Sequence, residues 1–198
     1  MDMDRMVQDI VQAMEKRGIG TSDDKIWIIS VDGRAAAGKT TLAARLSQLL
    51  GASVIHMDDF FLPGMLRTVE RLDEPGGNVH YERFSREVLP HLRENRRFDY
   101  RIFDCVQMRY SGERSVENSR YRIVEGSYSN HPVFGDYADF RIFCDVDPEE
   151  QKERILRRNG RESEKVFEQK WIPMEEKYFE CFKIREKADH HLVSQKGE

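Results

Sequence analysis

The amino-acid sequence predicts an α/β fold in which a mainly parallel sheet carries helices on both faces. Short apolar runs typical of β-strands alternate with longer segments of helical periodicity along most of the chain. The first run leads into a glycine-rich loop and then a helix, which is how a β-α-β unit begins. Strands joined in this way pair in parallel through right-handed crossovers, and their ligands bind at the carboxyl ends of the strands.

The composition is typical of a globular chain and excludes a disordered, fibrous or disulfide-linked one. The 198 residues include 32 Lys plus Arg and 36 Asp plus Glu, a formal net charge of -4. This acidic balance argues against a nucleic-acid partner, and no apolar run is long enough for a membrane span. Three widely spaced cysteines, the lack of a zinc-type spacing and an acidic N-terminus unlike a signal peptide favour the cytoplasm.

The elements of the first half follow from periodicity and from breaker residues. Apolar residues at spacings of three and four predict a helix over 3–17, and with its linker it forms an N-terminal segment, 1–24, ahead of the main domain, 25–198. Strands are predicted over 25–31 and 53–57, with a helix over 40–50 between them. The segment 60–81 is rich in Pro and Gly and is expected to be an irregular substrate loop.

The second half continues the alternation. A helix is predicted over 84–92, and strands over 100–105, 120–125, 140–146 and 190–193. Asp147 caps a helix that runs to Gly160, and a further helical stretch over 163–187 is interrupted at Pro173. An apolar stripe on that stretch is expected to enter the core, and its members are Phe167, Trp171, Met174, Tyr178 and Phe182.

Acidic residues stand at or just beyond five predicted strand ends. Because the carboxyl ends of parallel strands meet at one edge of a sheet, their side chains are expected to converge on one crevice. These residues are Asp32, Asp58, Asp104, Glu125 and Asp145.

The strongest motif is a phosphate loop that begins at Gly33. The eight residues to Thr40 match G-x-x-x-x-G-K-[ST] and lie between a predicted strand and a predicted helix, the context that this motif requires. Its backbone N–H groups and the helix N-terminus favour phosphate, so we predict a P-loop NTPase-type fold. Lys39 is expected to reach the β and γ phosphates, and Thr40 to bind Mg²⁺. The predicted nucleotide contacts are Gly33, Arg34, Ala35, Ala36, Ala37, Gly38, Lys39, Thr40 and Thr41.

Two carboxylates follow the strand that comes after the phosphate-loop helix. Asp58 and Asp59 are placed to approach the γ phosphate from the acceptor side, where a carboxylate can accept the proton of the acceptor hydroxyl. We assign this role, and a share in Mg²⁺ binding, to Asp58. Asp59 is the alternative base, and the pair could instead cap a turn. Glu125 ends an apolar strand and is expected to hold a Mg²⁺-bound water.

Arginines cluster on the helix that Asp147 begins. Arg154, Arg157 and Arg158 share one helix face, and Arg161 follows just past the glycine end. They predict a lid over 154–164 that clamps phosphate oxygens, with Arg158 on the nucleotide. The alternative is that these cations only stabilise the C-terminus of the helix.

These motifs, in this order over roughly residues 25–195, resemble the uridine kinase-like branch of P-loop kinases, which includes phosphoribulokinase, pantothenate kinase and nicotinamide riboside kinase. The matching pieces are the phosphate loop, residues 58–61, 103–104, 124–126 and 188–189, and the arginine helix. The resemblance implies a nucleoside- and nucleotide-kinase-like fold with ATP and Mg²⁺ as cofactors. It implies that the catalytic residues are Lys39, Asp58, Arg154, Arg157 and Arg161. The implied substrate contacts are Asp58, Asp59, Phe61, His80, Phe103, Arg109 and Gln169.

The sequence departs from this family where a nucleoside base would be read. Phe61 and Phe103 stand where uridine–cytidine kinases have tyrosines, and the lid is a few residues shorter between Arg157 and Arg161. Losing such donors weakens discrimination between bases. The expected function is ATP-dependent phosphoryl transfer to a hydroxyl of a small metabolite, foremost a nucleoside such as uridine or cytidine. The alternatives are nicotinamide riboside, pantothenate or a sugar phosphate as acceptor, or a nucleotide-dependent switch. A homo-oligomer is compatible both with a kinase and with a nucleotide-dependent switch.

Overall fold

The computed structural model describes residues 3–194, which contain a five-stranded sheet and a separate two-stranded hairpin. In chain order the strands are β1 Trp27–Gly33, β2 Ser53–His56, β3 Phe98–Asp104, β4 Arg109–Val116, β5 Tyr121–Glu125, β6 Phe140–Val146 and β7 His190–Ser194. The large sheet has the order β2-β5-β1-β6-β7, and all its pairings are parallel. The predicted α/β fold with a parallel sheet is thereby confirmed.

The helices fill the connections between these strands. Helix α2 is flanked by Gly38 and Gly51. Both glycines have the left-handed backbone conformation that costs other residues free energy. Within the described part of the chain the α-helices are α1 Met3–Lys16, α2 Lys39–Leu50, α3 Val69–Asp73, α4 Tyr81–Glu87, α5 Pro148–Val166 and α6 Ile172–Phe182.

Both faces of the sheet are buried, as predicted. Ile29 in β1 packs in one cluster with Ile10 of α1 and Leu46 of α2. Ile28, the preceding residue, points to the other face and packs in a second cluster with Tyr178 of α6. Helix α1 thus shares the core of the sheet, and the domain boundary at residue 24 stays a prediction. Within residues 3–194 no helix has the length and apolar character that crossing a membrane requires.

The strand predicted over 100–105 exists but does not join the parallel sheet. It lies in β3, which pairs antiparallel with β4, so that Phe98 faces Val116 and Asp104 faces Arg109. The hairpin packs against the second face of the sheet through Tyr100. Strand β4 escaped prediction because nearly all its residues are exposed, which removes the apolar alternation.

The segment 60–81 is more regular than predicted. It contains a 3₁₀ turn, Gly64–Leu66, and helix α3. Arg71 holds the segment together, because its guanidinium donates to the carbonyls of Gly77 and Val79, each at 3.0 Å, and to the Glu82 carboxylate. The helix predicted over 84–92 begins earlier, as α4, and gives way to a 3₁₀ turn at 89–91 that contains a proline.

The C-terminal helical region is broken at Gly160, as predicted, but not at Pro173. Gly160 has φ 81° and ψ 170°, which kinks α5. A π-helical turn over 167–171 precedes α6, and Pro173 lies in the first turn of α6, where proline is tolerated. The core prediction for the apolar stripe holds at Tyr178, which is fully buried, and at Phe182, which packs against the same cluster. Phe182 is partly buried, as are the other three, Phe167, Trp171 and Met174.

Candidate active site

The phosphate loop joins the end of β1 to the start of α2. Gly33 has φ 134°, and a Cβ at this position would lie 2.0 Å from the carbonyl oxygen of Cys144 in β6. Only glycine allows this close approach of the two strands. At the other end of the loop, Gly38 has φ 89° and turns the chain into α2. The two motif glycines are therefore required by backbone geometry.

Lys39 lies along the loop with 9% of its surface exposed. Its ammonium donates to the carbonyls of Gly33 and Arg34, each at 2.7 Å, and to the hydroxyl of Ser127 at 3.2 Å. A lysine in this motif reaches the β and γ phosphates of a nucleotide. The end of the loop nearest β1 is therefore the end that would meet the terminal phosphate.

A cleft of about 570 Å³ opens over the phosphate loop, within the size range of small-molecule sites. It brings together most of the predicted phosphate loop, one of the two paired carboxylates and part of the arginine helix. The residues predicted from sequence that line it are Ala35, Ala36, Ala37, Gly38, Lys39, Thr40, Thr41, Asp58, Phe61, Glu125, Arg154, Arg157 and Arg158.

Asp58 and Asp59 have opposite environments although they are adjacent. Asp58 faces the cleft, where desolvation by the surrounding protein raises the pKa of its carboxyl and the charge of Lys39 opposes that rise. Asp59 is buried and accepts hydrogen bonds from the Tyr100 hydroxyl and from Arg114 Nε, both at 2.9 Å. The carboxylate available to a bound molecule is therefore that of Asp58.

Glu125 connects the end of β5 to the phosphate loop. Its carboxylate accepts from the Thr40 hydroxyl at 3.2 Å and from His56 Nδ1 at 2.5 Å, and only 3% of the residue is exposed. The oxygens of Thr40, Glu125 and Asp58 suit Mg²⁺, which takes one or two protein carboxylates beside phosphates and water. Among residues 3–194 no three or more His, Cys, Asp and Glu side chains are grouped as a metal site.

The arginine helix reaches the cleft with three of its four predicted arginines. Arg154 is partly buried and donates to the carbonyl of Ala36 at 3.1 Å. Arg157 and Arg158 line the cleft and are exposed. Arg161 lies beyond the kink in α5 and does not line the cleft.

Several other predicted site residues also lie outside the cleft. Arg34 pairs with Asp145 and Glu176 instead. Phe103 is buried in the hairpin, and His80 contacts a neighbouring glutamate. Their functional roles stay predictions. The set outside the cleft, with Arg161, is Gly33, Arg34, Asp59, His80, Phe103, Arg109 and Gln169.

Three of the five acids expected to converge do not reach the cleft. Asp32 is fully buried and accepts from the backbone N–H groups of residues 33, 128 and 130. Asp104 caps the turn of the hairpin, which lies outside the parallel sheet. Asp145 pairs with Arg34 and Arg185. That expectation is wrong for these residues because each carboxylate is committed to a partner elsewhere.

Six residues that line the cleft were not predicted as site residues. Ser127 follows the recognised strand end at 124–126, so its proximity could have been inferred. Glu175 lies between Trp171 and Tyr178 at helical spacing, and an acid on an otherwise apolar face was the available signal. The six are Cys105, Gly126, Ser127, Asn159, Phe167 and Glu175.

Known structures share this fold over nearly the whole chain. A "possible uridine kinase" from Bacillus stearothermophilus matches with a TM-score of 0.68 and 20% identity, over 96% of this chain and 96% of that one. The chain has a P-loop kinase fold. A "putative fructose transport system kinase" from Silicibacter sp. TM1040 matches with a TM-score of 0.67 and 20% identity, over 96% and 98% of the two chains. No protein-family model and no curated protein matches the sequence.

Proposed function

We propose that the chain is an ATP- and Mg²⁺-dependent kinase that transfers a phosphoryl group to a hydroxyl of a small metabolite. The observation that carries this proposal is the shared cleft of Lys39, Thr40, Asp58 and Glu125, which brings carboxylates together with a phosphate loop. Phosphoryl transfer needs mainly an aligned hydroxyl and neutralisation of phosphate charge. The cleft offers groups for both.

Asp58 acts as the base in this proposal. Its carboxyl faces the cleft, whereas Asp59 is held by Tyr100 and Arg114. The raised pKa of Asp58 makes its carboxylate a better proton acceptor than one with the ordinary pKa, so it orients the acceptor hydroxyl and takes its proton as the new bond to phosphorus forms.

Cations surround the phosphates on the other side of the cleft. Lys39 binds the β and γ phosphates, and Arg154, Arg157 and Arg158 neutralise charge from the arginine helix. Thr40, Asp58 and Glu125 would hold Mg²⁺, directly or through water. When bound, the ion neutralises phosphate charge and helps to align the transferred group.

The acceptor we favour is a nucleoside such as uridine or cytidine. Phe61 and Cys105 line the same cleft as Asp58 and offer an apolar wall for a planar base. The predicted polar contacts His80, Arg109 and Gln169 lie outside this cleft, which leaves few polar side chains beside Phe61 to choose one base. Nicotinamide riboside, pantothenate and sugar phosphates therefore stay in the set of acceptors to be tested. We place the reaction in the cytoplasm, which suits the three free thiols.

The experiment that tests the proposal measures ADP release from Mg²⁺-ATP with each candidate acceptor, and checks each product by mass. Stimulation by one acceptor, abolished by Asp58→Asn, is the expected result. ATP binding without stimulation by any acceptor, together with nucleotide-dependent capture of a protein partner, would favour a switch instead.

A further inference from the structure

A buried carboxylate from α6 reaches the phosphate loop. Glu175 is 5% exposed and lines the cleft. Its two carboxylate oxygens accept one hydrogen bond each, from the backbone N–H of Ala35 at 2.9 Å and from the hydroxyl of Ser127 at 2.6 Å. An acid therefore binds one of the amides that the motif supplies for phosphate.

The position of the contact between Glu175 and the amide of Ala35 determines which phosphate of a nucleotide it affects. Ser127 receives a hydrogen bond from Lys39 and donates one to Glu175, so the three side chains form a chain of contacts at the β1 end of the loop. This is the end where Lys39 would meet the terminal phosphates. A phosphate oxygen that approaches Ala35 would meet a carboxylate already bonded to that amide, and two anions are poor neighbours in a buried site.

We propose that Glu175 competes with the terminal phosphate of the nucleotide for the amide of Ala35, and that it thereby sets the affinity of the site for nucleotides. The inference rests on the nucleotide binding in the proposed function. It means that a bound phosphate must displace the Glu175 carboxylate of α6 from the loop. Its charge weakens the binding of nucleotides that reach the β1 end of the loop, while its hydrogen bonds keep the loop amide satisfied.

Two further features of the chain are suited to this exchange. A π-helical turn over 167–171 comes directly before α6, and such turns interrupt the regular bonding of a helix, often at functional sites. Burial raises the pKa of the Glu175 carboxyl, and the charge of Lys39 opposes this rise. Burial thus makes the charged form of Glu175 less stable than that of an exposed carboxylate. This lowers the free-energy cost of displacing the carboxylate from the amide of Ala35.

The alternative is that Glu175 only shapes the loop. Glu175→Gln separates the two, because the amide oxygen can still accept from Ala35 while the amide NH₂ can donate to the Ser127 hydroxyl. This variant removes the charge and keeps the shape. Glu180→Gln is the matched control, because it removes the same charge from an exposed position on the same helix.

The experiment is a calorimetric titration of the full chain and the variants with ATP, ADP and AMP in MgCl₂. We expect Glu175→Gln to bind ATP about tenfold more tightly than wild type, because a hydrogen bond to a charged acceptor is replaced by a weaker one to a neutral acceptor, and to bind AMP equally well. Glu180→Gln should match wild type. An ATP affinity for Glu175→Gln that is unchanged or weaker, or a gain equal for ATP and AMP, would overturn the inference.

Thermal melts and a second variant, Glu175→Ala, serve as controls for effects of the substitution on folding. The alanine variant should also bind ATP more tightly, since it frees the amide altogether. If both variants fail to fold, Glu175 is structural and the inference is wrong. If wild type binds ATP and neither variant gains, only this inference fails. If neither wild type nor the variants bind a nucleotide, both this inference and the proposed function fail.

Discussion

Exchanging Asp58 for Asn removes a proton acceptor from the cleft and keeps the size of the side chain. A positioned base contributes about 10²- to 10⁴-fold to the rate. We therefore expect the turnover of Asp58→Asn to fall by that factor, which corresponds to roughly 3–5 kcal/mol of transition-state stabilisation. The melting temperature should change little, because the Asp58 residue is exposed.

Asp59→Asn is the matched control, and we expect it to lower the stability of the protein while most of the turnover is retained. An asparagine oxygen keeps one acceptor, but the charge that binds Arg114 and Tyr100 is lost. A hydrogen bond between charged groups contributes about 1.5–3 kcal/mol, and the partial exposure of Arg114 reduces this to about 1–2 kcal/mol. For a chain of this size we expect a melting temperature lower by roughly 2–8 °C, with most of the turnover retained.

The assay combines acceptor-stimulated ADP release at saturating Mg²⁺-ATP, calorimetric binding of ATP and thermal melts. The expected pattern is lost turnover with intact ATP binding for Asp58→Asn, and lower stability with retained turnover for Asp59→Asn. If Asp59→Asn abolishes turnover while Asp58→Asn does not, the base is Asp59 and the reasoning from burial is refuted.

The remaining predictions concern the loop, the metal and the substrate segment. Gly33→Ala places a Cβ 2.0 Å from the Cys144 carbonyl oxygen, so we expect no folded protein; soluble protein with the melting temperature of wild type would contradict this. Thr40→Val removes a hydroxyl from the proposed Mg²⁺ site and should reduce the gain in ATP affinity on adding MgCl₂ by about tenfold, with unchanged folding. Burial alone would raise the pKa of Glu82, but its bonds to Arg71 lower it to about 2. The stabilisation by this pair is complete above the ordinary pKa of 4.5 and is lost as the pH falls through about 2. Glu82→Gln should therefore lower the melting temperature by about 1–2 °C at pH 7 and by less near pH 2, and an equal loss at both would exclude the ion pair as its cause.

The phosphate loop was predictable because its chemistry is local. Gly33 and Gly38 take backbone conformations that favour glycine, and Lys39 and Thr40 follow in the same turn, so one short segment carries the whole signal. The parallel strands were predictable for a related reason, since burial on both faces leaves continuous apolar runs. Strand β4 has no such run and was missed.

The cleft around that loop was predicted less well. Asp58 and Glu125 follow strands of the parallel sheet and do face the cleft, whereas Asp104 ends a strand that pairs elsewhere. Arg161 was predicted to join the lid from just past the glycine that ends the helix, but it lies beyond the kink at Gly160 and does not line the cleft. Position along the chain does not show where a side chain lies once the helix is kinked.

The fold class, the phosphate loop and the chain order of the strands in the parallel sheet followed from local pattern in the sequence, because each depends on neighbours along the chain, whereas β4 and α3 did not. Only the tertiary structure decided which of two adjacent carboxylates faces the cleft, and that Glu175 reaches an amide 140 residues away. Contacts of this kind depend on how helices pack across a sheet. That packing is set by many side chains together, and no local pattern records it.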